Sequence, residues 1–232
     1  MRKTAVVALV LLTASAGAAD WPQWRGPARD GRATLAPRPT LPEALTPAWK
    51  VAVGEGHASP VVVGDRVYVF SRKGEEEVLQ ALDLATGTRA WRASYPAPYT
   101  MSSAATGHGK GPKATPAVAG GRVFTFGISG ILSAFDAATG RLAWRKESGS
   151  EYKPSSPLYG VAQSPLVDGG SVIVHVGGPG KGALTAFDAA TGAVRWAWKG
   201  DGPAYASPVV ATNGGVRQVV TFTESFLVGV SA

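Results

Sequence analysis

Three histidines are the first residues of this sequence that suggest chemistry, because imidazole can bind metals and transfer protons near neutral pH. His57, His108 and His175 lie far apart along the chain and follow none of the short spacings typical of zinc ligands. The sequence also lacks a G-x-S-x-G nucleophile elbow and a calcium-loop pattern. We therefore predict no catalytic residue and no metal site. His175, which lies in an apolar run, is expected to be a core residue.

Two segments rich in glycine and containing lysine, 107–111 and 177–182, superficially resemble loops that hold phosphate. Neither contains the G-x-x-x-x-G-K-[ST] sequence, and neither lies between a strand and a helix. The second segment falls where a hairpin turn is expected, and a turn is the better interpretation of it.

Three aspartates recur within a pattern, A-x-D-x-x-T-G-x-x-x-W, whose copies begin 53 and then 52 residues apart. An aspartate carboxylate can accept hydrogen bonds from the threonine hydroxyl and from turn amides, while the glycine supplies a positive φ. These aspartates are therefore predicted to be structural rather than catalytic. The repeated positions are Asp83, Thr86, Gly87 and Trp91; Asp136, Thr139, Gly140 and Trp144; and Asp188, Thr191, Gly192 and Trp196.

The segments between the copies predict short strands. A Ser-Pro or Thr-Pro step followed by a short apolar run precedes a glycine-rich turn and a second apolar run; these steps are Ser59-Pro60, Thr115-Pro116, Ser164-Pro165 and Ser207-Pro208. Each unit of about 40 to 55 residues thus contains four antiparallel strands, which is typical of a propeller blade. The tryptophan lies on the outermost strand, where its indole can pack against the neighbouring blade. The sequence predicts an all-β protein, a β-propeller of four-stranded antiparallel blades.

The repeated motif resembles the tryptophan-docking motif of the pyrroloquinoline-quinone (PQQ)-like, or quinoprotein-like, repeat family. This family includes quinoprotein dehydrogenases and BamB-like subunits of the outer-membrane assembly machinery. The resemblance covers Ala48 to the C-terminus and implies a ring of seven or eight blades, of which three and a half to four are present. It also implies that Trp49 lies on an orphan outer strand that completes the last blade. Ser231 stands where the fourth aspartate is expected. We interpret the chain as a fragment.

The N-terminus has the pattern of a secretory signal peptide, with Arg2 and Lys3 before a short apolar run and Ala16-Gly17-Ala18 at the cleavage position. We predict a signal peptide at 1–19, an N-terminal extension at 20–47 and a partial propeller at 48–232, in a periplasmic or secreted protein. No further apolar run is long enough to span a bilayer. The net charge of +7 is scattered along the chain, which does not favour nucleic acid as a partner.

Two long connections between blades, 93–113 and 147–162, are expected on the same face of the ring. Long connections without secondary structure are often functional, although variable surface loops remain an equal alternative. Their aromatic and basic side chains could bind a peptide strand or an anionic ligand. The candidate binding residues are Tyr95, Tyr99, His108, Tyr152, Lys153 and Tyr159.

Three functions are compatible with the resemblance. The first is a non-catalytic scaffold that binds a protein or peptide partner and needs no cofactor. Its partner could belong to the outer-membrane assembly machinery. The second is a fragment of a PQQ-dependent alcohol or sugar dehydrogenase, in which the resemblance implies PQQ with bound Ca²⁺ and an aspartate base. Alcohol-oxidising members use a vicinal cysteine pair, which this chain without cysteine lacks. The third is a sensor or carbohydrate-binding propeller. The scaffold is the preferred hypothesis.

Overall fold

A computed structural model describes residues 20–33, 43–147 and 157–231. Within them the chain forms four antiparallel sheets in succession, each built from strands that are consecutive in sequence. The all-β prediction and the prediction of four-stranded antiparallel blades are confirmed. The signal-peptide prediction, which concerns 1–19, lies outside the described residues. No helix in the described part of the chain has the length and apolar character needed to cross a membrane.

Three sheets have four strands. The first contains β1 (Val61–Val63), β2 (Arg66–Lys73), β3 (Glu76–Asp83) and β4 (Arg89–Pro96). The second contains β5 (Ala117–Ala119), β6 (Arg122–Phe126), β7 (Ile131–Asp136) and β8 (Leu142–Glu147). The third contains β9 (Leu166–Asp168), β10 (Ser171–Gly178), β11 (Lys181–Asp188) and β12 (Val194–Trp198). The fourth sheet has three described strands, β13 (Val209–Asn213), β14 (Val216–Phe222) and β15 (Leu227–Ser231). We refer to the sheets as blades 1 to 4.

The core lies between neighbouring blades. Tyr68 and Leu79 of blade 1 pack in one cluster with Phe135 of blade 2. Trp144 of blade 2 packs in the next cluster with Val174 of blade 3. Because blades 2 and 3 each lie between two of these clusters, their middle strands are apolar almost continuously and do not alternate with polar residues.

The turn after the third strand has the same hydrogen bonds in the three complete blades. The hydroxyls of Thr86, Thr139 and Thr191 donate to the Oδ1 atoms of their aspartates at 2.9, 2.7 and 2.9 Å. The amides of the same threonines donate to the same oxygens at 3.0, 2.8 and 2.8 Å. The glycines that follow have φ of 71°, 73° and 71°, which glycine adopts without strain. These turns bring the chain back as the outer strand.

Tryptophans connect blade 1 to blade 2 and blade 2 to blade 3. Nε1 of Trp91 donates to the carbonyl oxygen of Ala137 at 3.0 Å, and Nε1 of Trp144 donates to that of Ala189 at 3.1 Å. Each ring also covers the turn glycine of the next blade, where a side chain would collide with it. The indole thus fixes the separation of adjacent sheets through both packing and a hydrogen bond.

Trp49 docks in the same way, although it precedes blade 1. Its Nε1 donates to the carbonyl oxygen of Leu84 at 2.9 Å, and a β-carbon at Gly87 would lie 2.7 Å from its ring. The segment around it, 43–53, forms no strand. The indole therefore occupies the position of an outer-strand tryptophan without a sheet behind it.

The N-terminal extension crosses the inner strands of three blades. Trp21 exchanges two backbone hydrogen bonds with Val62 of β1, at 2.7 and 3.0 Å, and the carbonyl of Pro22 accepts from the amide of Val118 in β5 at 2.8 Å. The guanidinium of Arg29 then donates to the carbonyl of Pro165, immediately before β9, at 2.9 Å. Residues 20–33 therefore cover the inner edges of the first two blades and reach the third.

Candidate binding face

The connections between blades lie on one face of the assembly. In each blade, the hairpin between the second and third strands lies on the same side of the sheet as the connection that leaves the outer strand. The threonine-glycine turns lie on the opposite side. We call the first side the loop face. Its described segments are 74–75, 97–116, 127–130, 157–165, 179–180, 199–208 and 223–226.

Two of the six candidate binding residues are not available on the loop face. Tyr95 was expected in a connection, but β4 continues through Pro96 and buries the Tyr95 ring. Its hydroxyl donates to Oε2 of Glu77 at 2.8 Å, so its polar end is satisfied within the protein. Tyr99 lies in the connection, but its side chain packs inward close to Gly160. Both rings therefore serve packing rather than ligand contact.

Two other candidates are brought together across a gap of about fifty residues. The rings of His108 and Tyr159 meet edge to face, with centroids 4.9 Å apart. The Tyr205 ring contacts the Tyr159 ring in a tilted arrangement with centroids 5.9 Å apart, and the Tyr205 hydroxyl accepts a hydrogen bond from the Tyr159 amide at 3.2 Å. His108, Tyr159 and Tyr205 form what we call the aromatic cluster. Tyr152 and Lys153 lie outside the described residues.

The aromatic cluster joins several connections and remains open to solvent. His57, which precedes blade 1, contacts the cluster through a bond of 2.8 Å between its Nε2 and the carbonyl oxygen of His108. Tyr205 is 43% exposed, and Leu158 beside Tyr159 is 47% exposed. Tyr205 was not identified from the sequence because its connection is short and resembles an ordinary turn. Its position between an outer strand and the next Ser-Pro step was the one available signal.

A buried carboxylate lies between blades 1 and 2 and was also missed. Glu77 has no exposed surface, and it accepts hydrogen bonds from the Tyr95 hydroxyl and from the Ile128 amide, both at 2.8 Å. Burial raises the pKa of the Glu77 carboxyl above its ordinary value, and these hydrogen bonds oppose part of the rise. The guanidinium of Arg145 lies 3.9 Å from the centroid of the Tyr95 ring. This group links two blades and is inaccessible to a ligand.

His175 is buried in β10, as its apolar surroundings predicted. Its Nε2 lies 2.9 Å from the carbonyl oxygen of Asp201, while Nδ1 has no hydrogen-bond partner. Burial lowers the pKa of the imidazole, which favours its neutral form. The segment 177–182 forms the hairpin between β10 and β11, so its glycines belong to a turn.

The cofactor implied for dehydrogenases requires oxygen ligands that converge on Ca²⁺. Among the residues that the structure describes, no group of three or more histidine, aspartate or glutamate side chains is positioned to hold a metal ion. The inner edges of blades 1 and 2, which border the ring axis, are covered by residues 20–22. Ligands for Ca²⁺ and PQQ are therefore not identified among the described residues.

Comparisons with known proteins give two kinds of relative. A family model described as "Outer membrane protein assembly factor BamB" matches residues 46–107 and 75–232. The outer membrane protein assembly factor BamB of Yersinia pestis is 24% identical over 212 residues, which are 88% of this chain and 48% of that protein. The quinohemoprotein alcohol dehydrogenase of Comamonas testosteroni is 33% identical over 144 residues, which are 61% of this chain and 19% of that protein. The chain spans less than half of the length of these relatives.

The crystal structure of the Comamonas testosteroni quinohemoprotein alcohol dehydrogenase is similar to this chain, with a TM-score of 0.61. The match covers 88% of this chain and 35% of that one, at 22% sequence identity. At this level of identity the likeness establishes the propeller fold and carries no information on activity.

Proposed function

The chain belongs to the family described as outer membrane protein assembly factor BamB, and from this premise we propose that it is an exported scaffold without catalysis. It binds a protein or peptide partner on its loop face, in the periplasm or outside the cell, within or beside the machinery that assembles outer-membrane proteins. The observation that carries the proposal is the aromatic cluster, where three connections between blades bring together the exposed rings of His108 and Tyr205 and the half-buried ring of Tyr159.

The chemistry of the cluster suits an extended peptide. Tyrosine and histidine rings offer a large apolar surface together with polar edges, and few rotamers are lost when they bind. The cluster is held by ring contacts and by the Tyr159–Tyr205 hydrogen bond, so its geometry exists before binding. A preorganised surface loses less entropy on association than a mobile one.

The test uses purified protein and fluorescent peptides that copy transmembrane strands of outer-membrane β-barrels. The variants Tyr205→Ala and Tyr159→Ala are expected to weaken binding by roughly tenfold or more, as at a typical interface hot spot. The matched control is Val194→Ala, which removes an apolar side chain that is 60% exposed and lies on an outer strand away from the loop face. Equal affinities for all three variants and the unmodified chain would contradict the proposal.

A second candidate is a part of a PQQ-dependent alcohol or sugar dehydrogenase. It is favoured by the 33% identity to a quinohemoprotein alcohol dehydrogenase, which exceeds the 24% identity to the assembly factor. In that case the ligands of Ca²⁺ and PQQ lie outside the described residues. Adding PQQ and Ca²⁺ and measuring dye-linked oxidation of alcohols and sugars tests it. Turnover would replace the scaffold hypothesis with this one.

A further inference from the structure

The four Ser-Pro and Thr-Pro steps of the sequence are joined to one another by hydrogen bonds between the blades. The amide of Ser59 donates to Oγ1 of Thr115 at 3.1 Å, and the amide of Thr115 donates to Oγ of Ser164 at 2.9 Å. The amide of Ser164 donates to Oγ of Ser207 at 2.9 Å. At each of these three junctions, the hydroxyl oxygen of one step accepts from the amide of the step in the preceding blade. We call the four residues the hydroxyl chain.

The residue types at these steps explain why the three junctions are alike. Thr115 and Ser164 are only 3% and 2% exposed, and a buried amide needs a hydrogen-bond acceptor. The proline that follows each step has no N–H group, so it offers no competing donor to the hydroxyl. Proline also holds the residue before it in an extended conformation. The hydroxyl chain therefore fixes how the connections of neighbouring blades lie relative to one another.

A second series of contacts runs through the same connections in the same order. It begins with the bond of 2.8 Å between Nε2 of His57 and the carbonyl oxygen of His108. It continues through the contact between the rings of His108 and Tyr159. It ends with the contact between the rings of Tyr159 and Tyr205. The aromatic cluster and the hydroxyl chain thus link the same connections.

Each of these aromatic residues precedes a member of the hydroxyl chain by two to seven residues. The pairs are His57 and Ser59, His108 and Thr115, Tyr159 and Ser164, and Tyr205 and Ser207. Because Tyr205 is only two residues from Ser207, the bond between the Ser164 amide and Ser207 restricts where the Tyr205 backbone can lie. The exposed rings are therefore held in place by a layer of hydrogen bonds beneath them.

We propose that the hydroxyl chain positions the aromatic cluster for binding, with Ser164 and Ser207 as positioning residues. This inference rests on the proposed function, in which the cluster binds a peptide. Ser207 holds Tyr205 against Tyr159, and Ser164 holds Tyr159 against His108. Since Ser164 is buried, it acts through the rings and not by contact with the peptide. When a hydroxyl is removed, the arrangement that binds is populated less, and the apparent affinity falls in proportion.

Nuclear magnetic resonance of the full chain without peptide tests the two positions separately. Ser207→Ala removes the acceptor of the Ser164 amide, so we expect faster hydrogen exchange at that amide and changed resonances of the Tyr205 ring. The resonances of the His108 ring should stay unchanged. Ser164→Ala removes the acceptor of the Thr115 amide and should give the converse result, with changed His108 resonances and unchanged Tyr205 resonances. A general loss of stability would not divide in this way.

The affinity for the fluorescent strand peptides shows whether this arrangement matters for binding. Ser207→Ala is expected to weaken binding by roughly two- to tenfold, the factor that corresponds to one hydrogen bond. Ser207→Thr keeps a hydroxyl, as Thr115 does at the equivalent step, and should restore the affinity and the ring resonances. Ser171→Ala is the matched control, because the Ser171 hydroxyl accepts a bond of 3.1 Å from Arg195 at the end of blade 3 away from the loop face. It should leave both unchanged.

The positioning role would be overturned if Ser207→Ala left the ring resonances and the Ser164 exchange as they are. A loss of affinity that Ser207→Thr does not restore, or that Ser171→Ala also causes, would overturn it too. Circular dichroism checks folding, and Ser164→Ala provides the same decision if Ser207→Ala does not fold. Failure of the proposed function has a different signature, since Tyr205→Ala would then bind the peptides as tightly as the unmodified chain. Weaker binding by Tyr205→Ala with unchanged binding by Ser207→Ala would overturn the positioning role alone.

Discussion

The indole of Trp144 lies directly over Gly192 of the next blade, and the missing side chain of that glycine is what permits the approach. A β-carbon at Gly192 would lie 2.8 Å from the ring carbons. The same glycine has φ of 71°, which closes the turn. One residue therefore meets two requirements, a left-handed backbone and a flat surface for the ring, and only glycine meets both.

The change Gly192→Ala is expected to lower the free energy of unfolding by about 2 to 4 kcal/mol. Roughly 1 to 2 kcal/mol comes from the left-handed backbone and the remainder from displacing the indole. Gly169→Ala is the matched control, because Gly169 has φ of 51° and nothing lies within 4 Å of the position of its β-carbon. It should show the backbone cost alone. Urea unfolding of both variants measures the difference, and equal losses would show that the ring contact is unimportant.

Two substitutions of Trp144 distinguish the contribution of its hydrogen bond to stability from the contribution of its packing. Trp144→Phe removes the Nε1 bond to Ala189 while keeping an aromatic ring, and should cost about 1 to 2 kcal/mol. Trp144→Ala also leaves a cavity between blades 2 and 3 and should cost about 3 to 5 kcal/mol. Thermal and urea unfolding give both values. If the two variants were equally stable, the docking would consist of the hydrogen bond alone.

Acid should weaken the turn at Asp188. Hydrogen bonds from Arg195 and from Thr191 lower the pKa of this carboxyl from 3.8 to about 2. Since the folded-state pKa is depressed, the carboxylate contributes stability that is present above about pH 4 and lost as the pH falls towards 2. Asp188→Asn should therefore have a lower free energy of unfolding than the unmodified chain at pH 6. This difference should disappear as the pH falls from about 4 to about 2.

The control for the acid prediction is Arg195→Gln, which removes the donor that forms bonds of 3.2 and 2.6 Å with Oδ2 of Asp188. In this variant the pKa of Asp188 should lie closer to its ordinary value of 3.8, so that stability is lost over a smaller range of pH. Urea unfolding at a series of pH values provides the data. The lowered pKa of Asp188 would be contradicted if the difference in the free energy of unfolding between Asp188→Asn and the unmodified chain stayed the same from about pH 6 to about pH 2.

Glu77 should give the opposite pH dependence. Burial raises the pKa of its carboxyl, so the folded state retains a proton that the unfolded state releases as the pH rises above about 4.5. The contribution of Glu77 to the free energy of unfolding is therefore greatest below about pH 4.5 and declines as the pH rises, until the pH exceeds the pKa of Glu77 in the folded state. Glu77→Gln keeps a side-chain oxygen that can accept from Ile128 and should remove this decline. Urea unfolding between pH 4 and 8 tests it, and an identical slope in the variant would show that Glu77 is ionised throughout.

The repeated blade was predictable because each copy is specified by local chemistry. The aspartate, threonine and glycine of one turn make all their key hydrogen bonds within five residues, so their spacing alone indicates the turn. The register between strands follows from that turn and from the Ser-Pro steps. The β13–β14 hairpin has five residue pairs, two more than the first hairpin of the other blades. Ser231 nevertheless pairs with Gln218, at the position where the aspartate lies in the other blades.

The binding face depended on contacts between blades, which no local pattern encodes. Tyr95 lies near the end of an outer strand and Tyr205 in the connection after one, yet the first is buried against Glu77 and the second is exposed beside Tyr159. The difference arises because β4 continues five residues beyond Trp91, which pairs Tyr95 with Glu77 of its own sheet, whereas β12 ends two residues beyond Trp196. Sequence alone therefore determined the blades and their order, because their bonds are short in range. Tertiary structure decided which rings face solvent, because burial depends on partners outside the local motif, 18 residues away for Tyr95 and 46 residues away for Tyr205.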